Sequence, residues 1–90
     1  MTTTTARRLP QDPVWATRID LEPVDATRYY TSDERTVASV TMKLAGCRTP
    51  GQPLDAGLQL AATYDDFLTP QQAREVARHL LELAEAAERG

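Results

Sequence analysis

The sequence predicts an α+β fold, a small antiparallel sheet of two to three strands packed by one C-terminal helix. Three observations point there. Apolar and polar residues alternate with a period of two in three separate stretches. A Thr-Pro-Gln-Gln cap precedes a run of Ala and Leu at helical spacing. The chain has 90 residues, enough for one core and not for two.

Residues 1–13 are Thr-rich, carry Pro10 and Pro13, and have no periodicity. They read as a disordered N-terminal tail, leaving residues 14–90 as the single α+β domain. Val14 to Glu22 alternates, with Trp15, Thr17, Ile19 and Leu21 on one side, until Pro23 removes a ladder donor. Asp25 to Arg35 reads as a connection containing Tyr29-Tyr30 and turn-forming Thr31 to Glu34. Thr36 to Leu44 reads as the clearest strand. Ala38, Val40, Met42 and Leu44 point one way; Val37, Ser39, Thr41 and Lys43 point the other.

Ala45 to Ala56 holds two glycines and two prolines and reads as a long loop. Gly57 to Asp65 is the third strand, with Leu58, Leu60, Ala62 and Tyr64 on one face and Gln59, Ala61 and Thr63 on the other. Thr69 to Arg89 is the helix. Thr69 is its N-cap, Pro70 suits the first helical position, Gln72 completes a capping box, and Leu68 can staple onto Ala73. At 100° per residue, Ala73, Val76, Ala77, Leu80, Leu81, Leu83, Ala84 and Ala87 span about 160° of its circumference. Gly90 stops it.

Charge and cysteine usage narrow the function classes. The net charge is −3, with seven basic against six acidic side chains in residues 1–50 and three against seven in residues 51–90. Phosphate recognition needs clustered cations, and Arg7-Arg8 is the one adjacent basic pair, so this pattern argues against nucleic acid. Cys47 is the sole cysteine, which excludes an internal disulfide. No apolar stretch is long enough to span a bilayer, and no hydrophobic targeting core follows Met1. The expectation is a cytoplasmic chain without a membrane partner.

Catalytic signatures are missing. His79 lies with Glu75 and Glu82 on the polar side of the helix, and three groups on one helix rarely converge on an ion. Cys47 lacks a nearby base, and adjacent strand residues such as Asp65 and Asp66 face opposite ways. No glycine-rich phosphate loop, paired-cysteine motif or nucleophile elbow occurs. No enzyme activity, cofactor or metal is expected.

One helix on a small sheet leaves the other sheet face open, and the helical apolar arc is wider than one sheet contact needs. The candidate interaction surface is therefore Val37, Thr41, Ala61 and Thr63 of that face, joined by Trp15, Arg18, Arg28, Tyr29 and Tyr30. The expected partner is a second copy of the chain or another protein, making the protein a non-enzymatic interaction or regulatory module, as a homodimer. The alternative is a nucleic-acid-associated accessory protein using Arg7, Arg8, Arg18 and Arg28 with Trp15 and the tyrosines. A small-molecule binder between sheet and helix is a third class.

Leu68-Thr69-Pro70-Gln71-Gln72-Ala73-Arg74, continuing through Ala77, Leu80, Leu81 and Ala84, resembles the end of small uncharacterised actinobacterial and actinophage proteins. In those, paired strands precede an LTP-x-x-A-R-x-x-A-x-x-L helix. The resemblance is confined to the C-terminal part of the chain. It implies an actinobacterial, phage or mobile-element origin, and no activity or functional residue. Thirteen alanines, twelve threonines and nine arginines against one lysine fit a high-GC coding sequence.

Overall fold

The computed structural model describes residues 3–63 and 67–90. Within them the order is β1 (Thr4–Thr5), β2 (Arg18–Leu21), β3 (Arg28–Thr31), β4 (Arg35–Val37), β5 (Val40–Arg48), β6 (Asp55–Ala62) and α1 (Pro70–Arg89). The antiparallel sheet and single C-terminal helix make the fold α+β, as expected. The sheet has six strands rather than two to three, in the order β1-β2-β3-β5-β4, with β6 on the opposite side of β5.

Three local features account for the extra strands. The stretch Thr36 to Leu44 is not one strand but a hairpin. Val37 lies directly opposite Val40, and Ala38, with φ +51°, turns the chain between them. A two-residue turn puts its flanking residues on the same face, so Val37 joins Val40 in the core instead of lying on the open face. The expected connection around Tyr29-Tyr30 is β3, because it finds ladder partners on both sides: Tyr30 opposes Ile19 of β2 and Gly46 of β5. Thr4–Thr5, in the expected tail, pairs with Asp20 and Leu21.

Half of the expected loop 45–56 is strand as well. β5 continues to Arg48 and β6 begins at Asp55, leaving a turn in which Gly51 has φ +83°. Gly46, a turn signal by composition, instead permits close approach: a Cβ there would lie 2.7 Å from the Ala56 Cβ and the Asp55 carbonyl oxygen. The predicted strand end at Tyr64 and Asp65, with Asp66 beyond it, falls outside the described residues.

The core forms on the helix side of the sheet, under α1 at β4 and β5 and under the N-terminal segment at β2 and β3. Ile19, Tyr30, Val37, Val40, Met42 and Leu44 are buried there with Trp15, Ala16 and Leu83. The α1 cap is as the sequence predicts: Thr69 Oγ1 accepts from the Gln72 N–H at 3.1 Å, and Gln72 Oε1 accepts from the Thr69 N–H at 3.0 Å. Leu68 packs toward the core while Ala73 stays exposed. Leu83 is the fully buried helical side chain; Val76, Leu80, Ala86 and Ala87 are partly buried beside it. Among the described residues, no helix is long and apolar enough to cross a membrane.

Candidate interaction surface

The nine residues expected to form one surface divide into three groups. Trp15, Tyr30 and Val37 are buried. The Trp15 ring meets Tyr30 edge-on, with centroids 6.4 Å apart and planes at 83°. A ring held that way is a core anchor and offers no open face for stacking a base. Arg18, Tyr29, Thr41 and Ala61 do come to the helix-free side of the sheet, because their register positions share one parity. Thr63 is exposed just beyond the end of β6.

Arg28 belongs to a third arrangement. Arg28 and Tyr30, two residues apart, share a face of β3 and reach the buried Asp12. The guanidinium grips the carboxylate twice, Nε to Oδ1 at 2.9 Å and Nη2 to Oδ2 at 2.8 Å. The Tyr30 hydroxyl donates to Oδ1 at 2.8 Å and the Leu9 N–H to Oδ2 at 2.6 Å. Burial by itself would raise the Asp12 pKa, but the bonds from Arg28, Leu9 and Tyr30 outweigh it and hold the value at about 2. Burial, with the Asp12 bond second, pushes the Tyr30 hydroxyl up.

Other arginines close the same seam through main-chain carbonyls. Arg28 also donates to Arg7 O at 2.7 Å, Arg48 to Gln11 O at 2.7 Å, and Arg8 to Pro13 O at 2.8 Å and to Ala16 O. From Thr4 to Pro13, the stretch expected as a loose tail is therefore clamped. Its Asp12 had no local sequence signature, since an aspartate between two prolines reads as turn chemistry. The clue available in the sequence was the Arg28/Tyr30 pairing on one strand face.

His79 is half-buried against β4, where Arg35 Nη1 donates to its Nδ1 at 3.2 Å and also meets Glu82 Oε1 at 2.5 Å. This cluster fixes which flank of α1 lies over β4. Among the described residues, no three His, Cys, Asp or Glu side chains gather closely enough to hold a metal ion. A shallow hollow open to solvent lies on the sheet over Tyr29, Cys47, Asp55 and Gln59, and not between sheet and helix.

The third strand expected at Gly57 to Asp65 is β6, and the feature that sequence reasoning missed is its exposure. All eight of its residues are exposed, although it makes the longest ladder of the sheet, from Val40↔Ala62 to Cys47↔Asp55. Leu58 and Leu60 oppose Leu44 and Met42, so they share the core face, yet they remain 44% and 58% exposed. β4 and β6 lie on opposite sides of β5, and Arg35 of β4 holds the His79/Glu82 flank of the helix. The opposite flank of α1, toward β6, is Ala73, Ala77, Leu80 and Ala84, with Leu81 above it at 66% exposure. Leu58 and Leu60 of the strand and Ala73, Ala77 and Leu81 of the helix thus stay exposed side by side next to a strand edge.

No family model matches the chain, and neither a curated protein nor a solved structure is significantly similar to it.

Proposed function

We propose that this protein is a small, non-enzymatic interaction module of the cytoplasm that works by surface contact with another protein chain, through β6 and the adjoining flank of α1. One observation carries the reading. The sheet ends on a strand of eight residues that is exposed on both faces and pairs, among the described residues, with β5 alone. Proteins that keep such an edge free of partners blunt it with lysine, proline, a bulge or a covering loop. β6 reads Asp-Ala-Gly-Leu-Gln-Leu-Ala-Ala; it has no lysine or proline, and its register with β5 runs without a bulge. The apolar strip beside it is what a contact surface needs and a solvated surface does not.

The nucleic-acid reading has less support. Of its residues, Trp15 and Tyr30 lie in the core, Arg28 is neutralised by Asp12, and Arg8 is bound to main-chain carbonyls.

The test is gel filtration of extract from the encoding organism. The wild-type chain is expected to elute in a species larger than itself. A Leu58→Asp, Leu81→Asp double variant is expected to elute alone while keeping its circular dichroism spectrum. A wild-type chain that elutes alone in its own extract defeats the reading.

A further inference from the structure

The ladder geometry says which atoms of β6 remain to be paired. The Ser32 N–H donates to Leu44 O at 2.9 Å, and the Leu44 N–H donates to Ser32 Oγ at 2.8 Å. Both main-chain groups of Leu44 therefore point away from β6. Along an antiparallel strand the direction alternates, so Thr41, Lys43, Ala45 and Cys47 turn theirs toward β6. Their register partners Ala61, Gln59, Gly57 and Asp55 answer them. The N–H and C=O groups of Ala56, Leu58, Leu60 and Ala62 are left facing outward. These are the same residues whose side chains lie on the uncovered apolar side.

We propose that β6 pairs antiparallel with β6 of a second copy of this chain, about a two-fold axis through Gln59, joining the two sheets into one. This rests on the interaction-module reading and names its partner. A two-fold axis must set outward-facing residues against outward-facing ones, so it passes through a residue and not between two. An axis at Gln59 is the position that uses all four: Leu58 opposes Leu60 of the second copy, and Ala56 opposes Ala62. Moving it to Leu58 or Leu60 carries one end of the pairing off the strand.

Charge selects a copy of the same chain over a charged partner. Asp55 is the one ionised side chain of β6, and this axis sets it opposite Thr63 of the second copy, not opposite another aspartate. The remaining pairs are neutral. At the rim, Arg74 and Glu88 stand seven residues either side of Leu81 on one stripe of α1. Antiparallel copies bring the Arg74 end of one helix toward the Glu88 end of the other, twice over.

The dimensions agree. Three strand spacings of about 4.8 Å separate the two β5 strands, so helices lying over them run about 14 Å apart. Close helix packing is about 8–10 Å, which leaves a trough for one layer of side chains. Leu58, Leu60 and Leu81 of each copy occupy it. A seam about 27 Å long and two layers deep covers on the order of 1,000 Å² in total, at the lower bound for a specific interface. The expected dimer forms and dissociates in the micromolar range.

Light scattering on the purified full chain across that range is expected to give twice the 10.0 kDa chain mass at high concentration. Leu60→Lys, at a side chain already more than half exposed, is expected to stay monomeric with an unchanged spectrum and melting temperature in dilute solution. Register is read by cross-linking in a Cys47→Ser background. Gln59→Cys meets its own copy and forms a disulfide-linked dimer on mild oxidation. Gly57→Cys, which has open space around it, lies about 13 Å from its copy and does not. A monomer at every concentration overturns self-pairing and leaves the interaction module to be judged in host extract. A dimer that survives Leu60→Lys, or that cross-links through Gly57→Cys and not Gln59→Cys, overturns the β6 seam.

Discussion

On either side of β5 the sheet carries an alternating sequence, in β2 and in β6, and the two sides meet opposite fates. On the β2–β3 side, Ile19 and Tyr30 are buried because the N-terminal segment folds over them, with Asp12 locked between Arg28, Tyr30 and the Leu9 N–H. On the β6 side, Leu58 and Leu60 face the same way as Met42 and Leu44 and stay largely exposed, because α1 reaches β6 without covering them. Alternation establishes that a strand has an apolar face. It does not establish that anything lies on that face. The first side is a closed structural seam and the second an open one.

The largest effect that can break this contrast is rupture of the buried pair. Replacing Arg28 with alanine strands the Asp12 carboxylate and is expected to cost about 3–5 kcal/mol, read by urea denaturation at neutral pH. An Arg28→Ala protein within 1 kcal/mol of wild type, taking about 1 kcal/mol as the scale of an exposed pair, would mean the seam is not closed.

Truncation of matched leucines compares the two sides directly. Leu44→Ala removes a side chain with 0% exposure and is expected to cost about 2–5 kcal/mol. Leu60→Ala, measured at concentrations where the chain is monomeric, is expected to cost less than about 1 kcal/mol. Equal losses would show that β6 is covered in solution even in the single chain.

Acid titration sharpens the contrast further. The Asp12 carboxyl titrates at about 2 in the folded chain against 3.8 for the free group. A lowered pKa contributes stability that is complete above the unfolded value and is lost as pH falls through the folded one. Lowering the pH from about 5 to about 2 is therefore expected to remove roughly 2 kcal/mol through this group. Asp12→Asn removes this component of the pH dependence, and parallel urea melts of the two proteins would measure it.

The smallest effect lies at the β4–β5 turn. Ala38 holds φ +51°, a conformation that costs an L-residue and not glycine. Ala38→Gly is expected to raise stability by about 0.5 kcal/mol after its larger unfolded-state entropy is subtracted. A loss in the thermal midpoint would show the hairpin turn to be built otherwise.

Much of the fold was legible. The capping box at Thr69 and Gln72, the helix through Arg89, and the core face Val40, Met42, Leu44 all rest on periodicity and local hydrogen bonding. β3 was not legible, since Arg-Tyr-Tyr-Thr is short and gains its strand character only from β2 and β5 on either side. Nor was the Ala38 turn, because alanine carries no mark of positive φ. Of the candidate surface, Arg18, Tyr29, Thr41 and Ala61 share one face, while Trp15, Tyr30 and Val37 are core.

The sequence by itself determined what depends on neighbours along the chain: the helix and its cap, the α+β class, and the apolar face of β2, β5 and β6. Tertiary structure alone decided which faces were covered, where Asp12 found its cation, and that α1 leaves Leu58 and Leu60 of β6 largely exposed. The physical reason is range. Propensity, capping and periodicity act within a few residues, whereas burial and ion pairing join groups such as Asp12 and Arg28 that are sixteen residues apart.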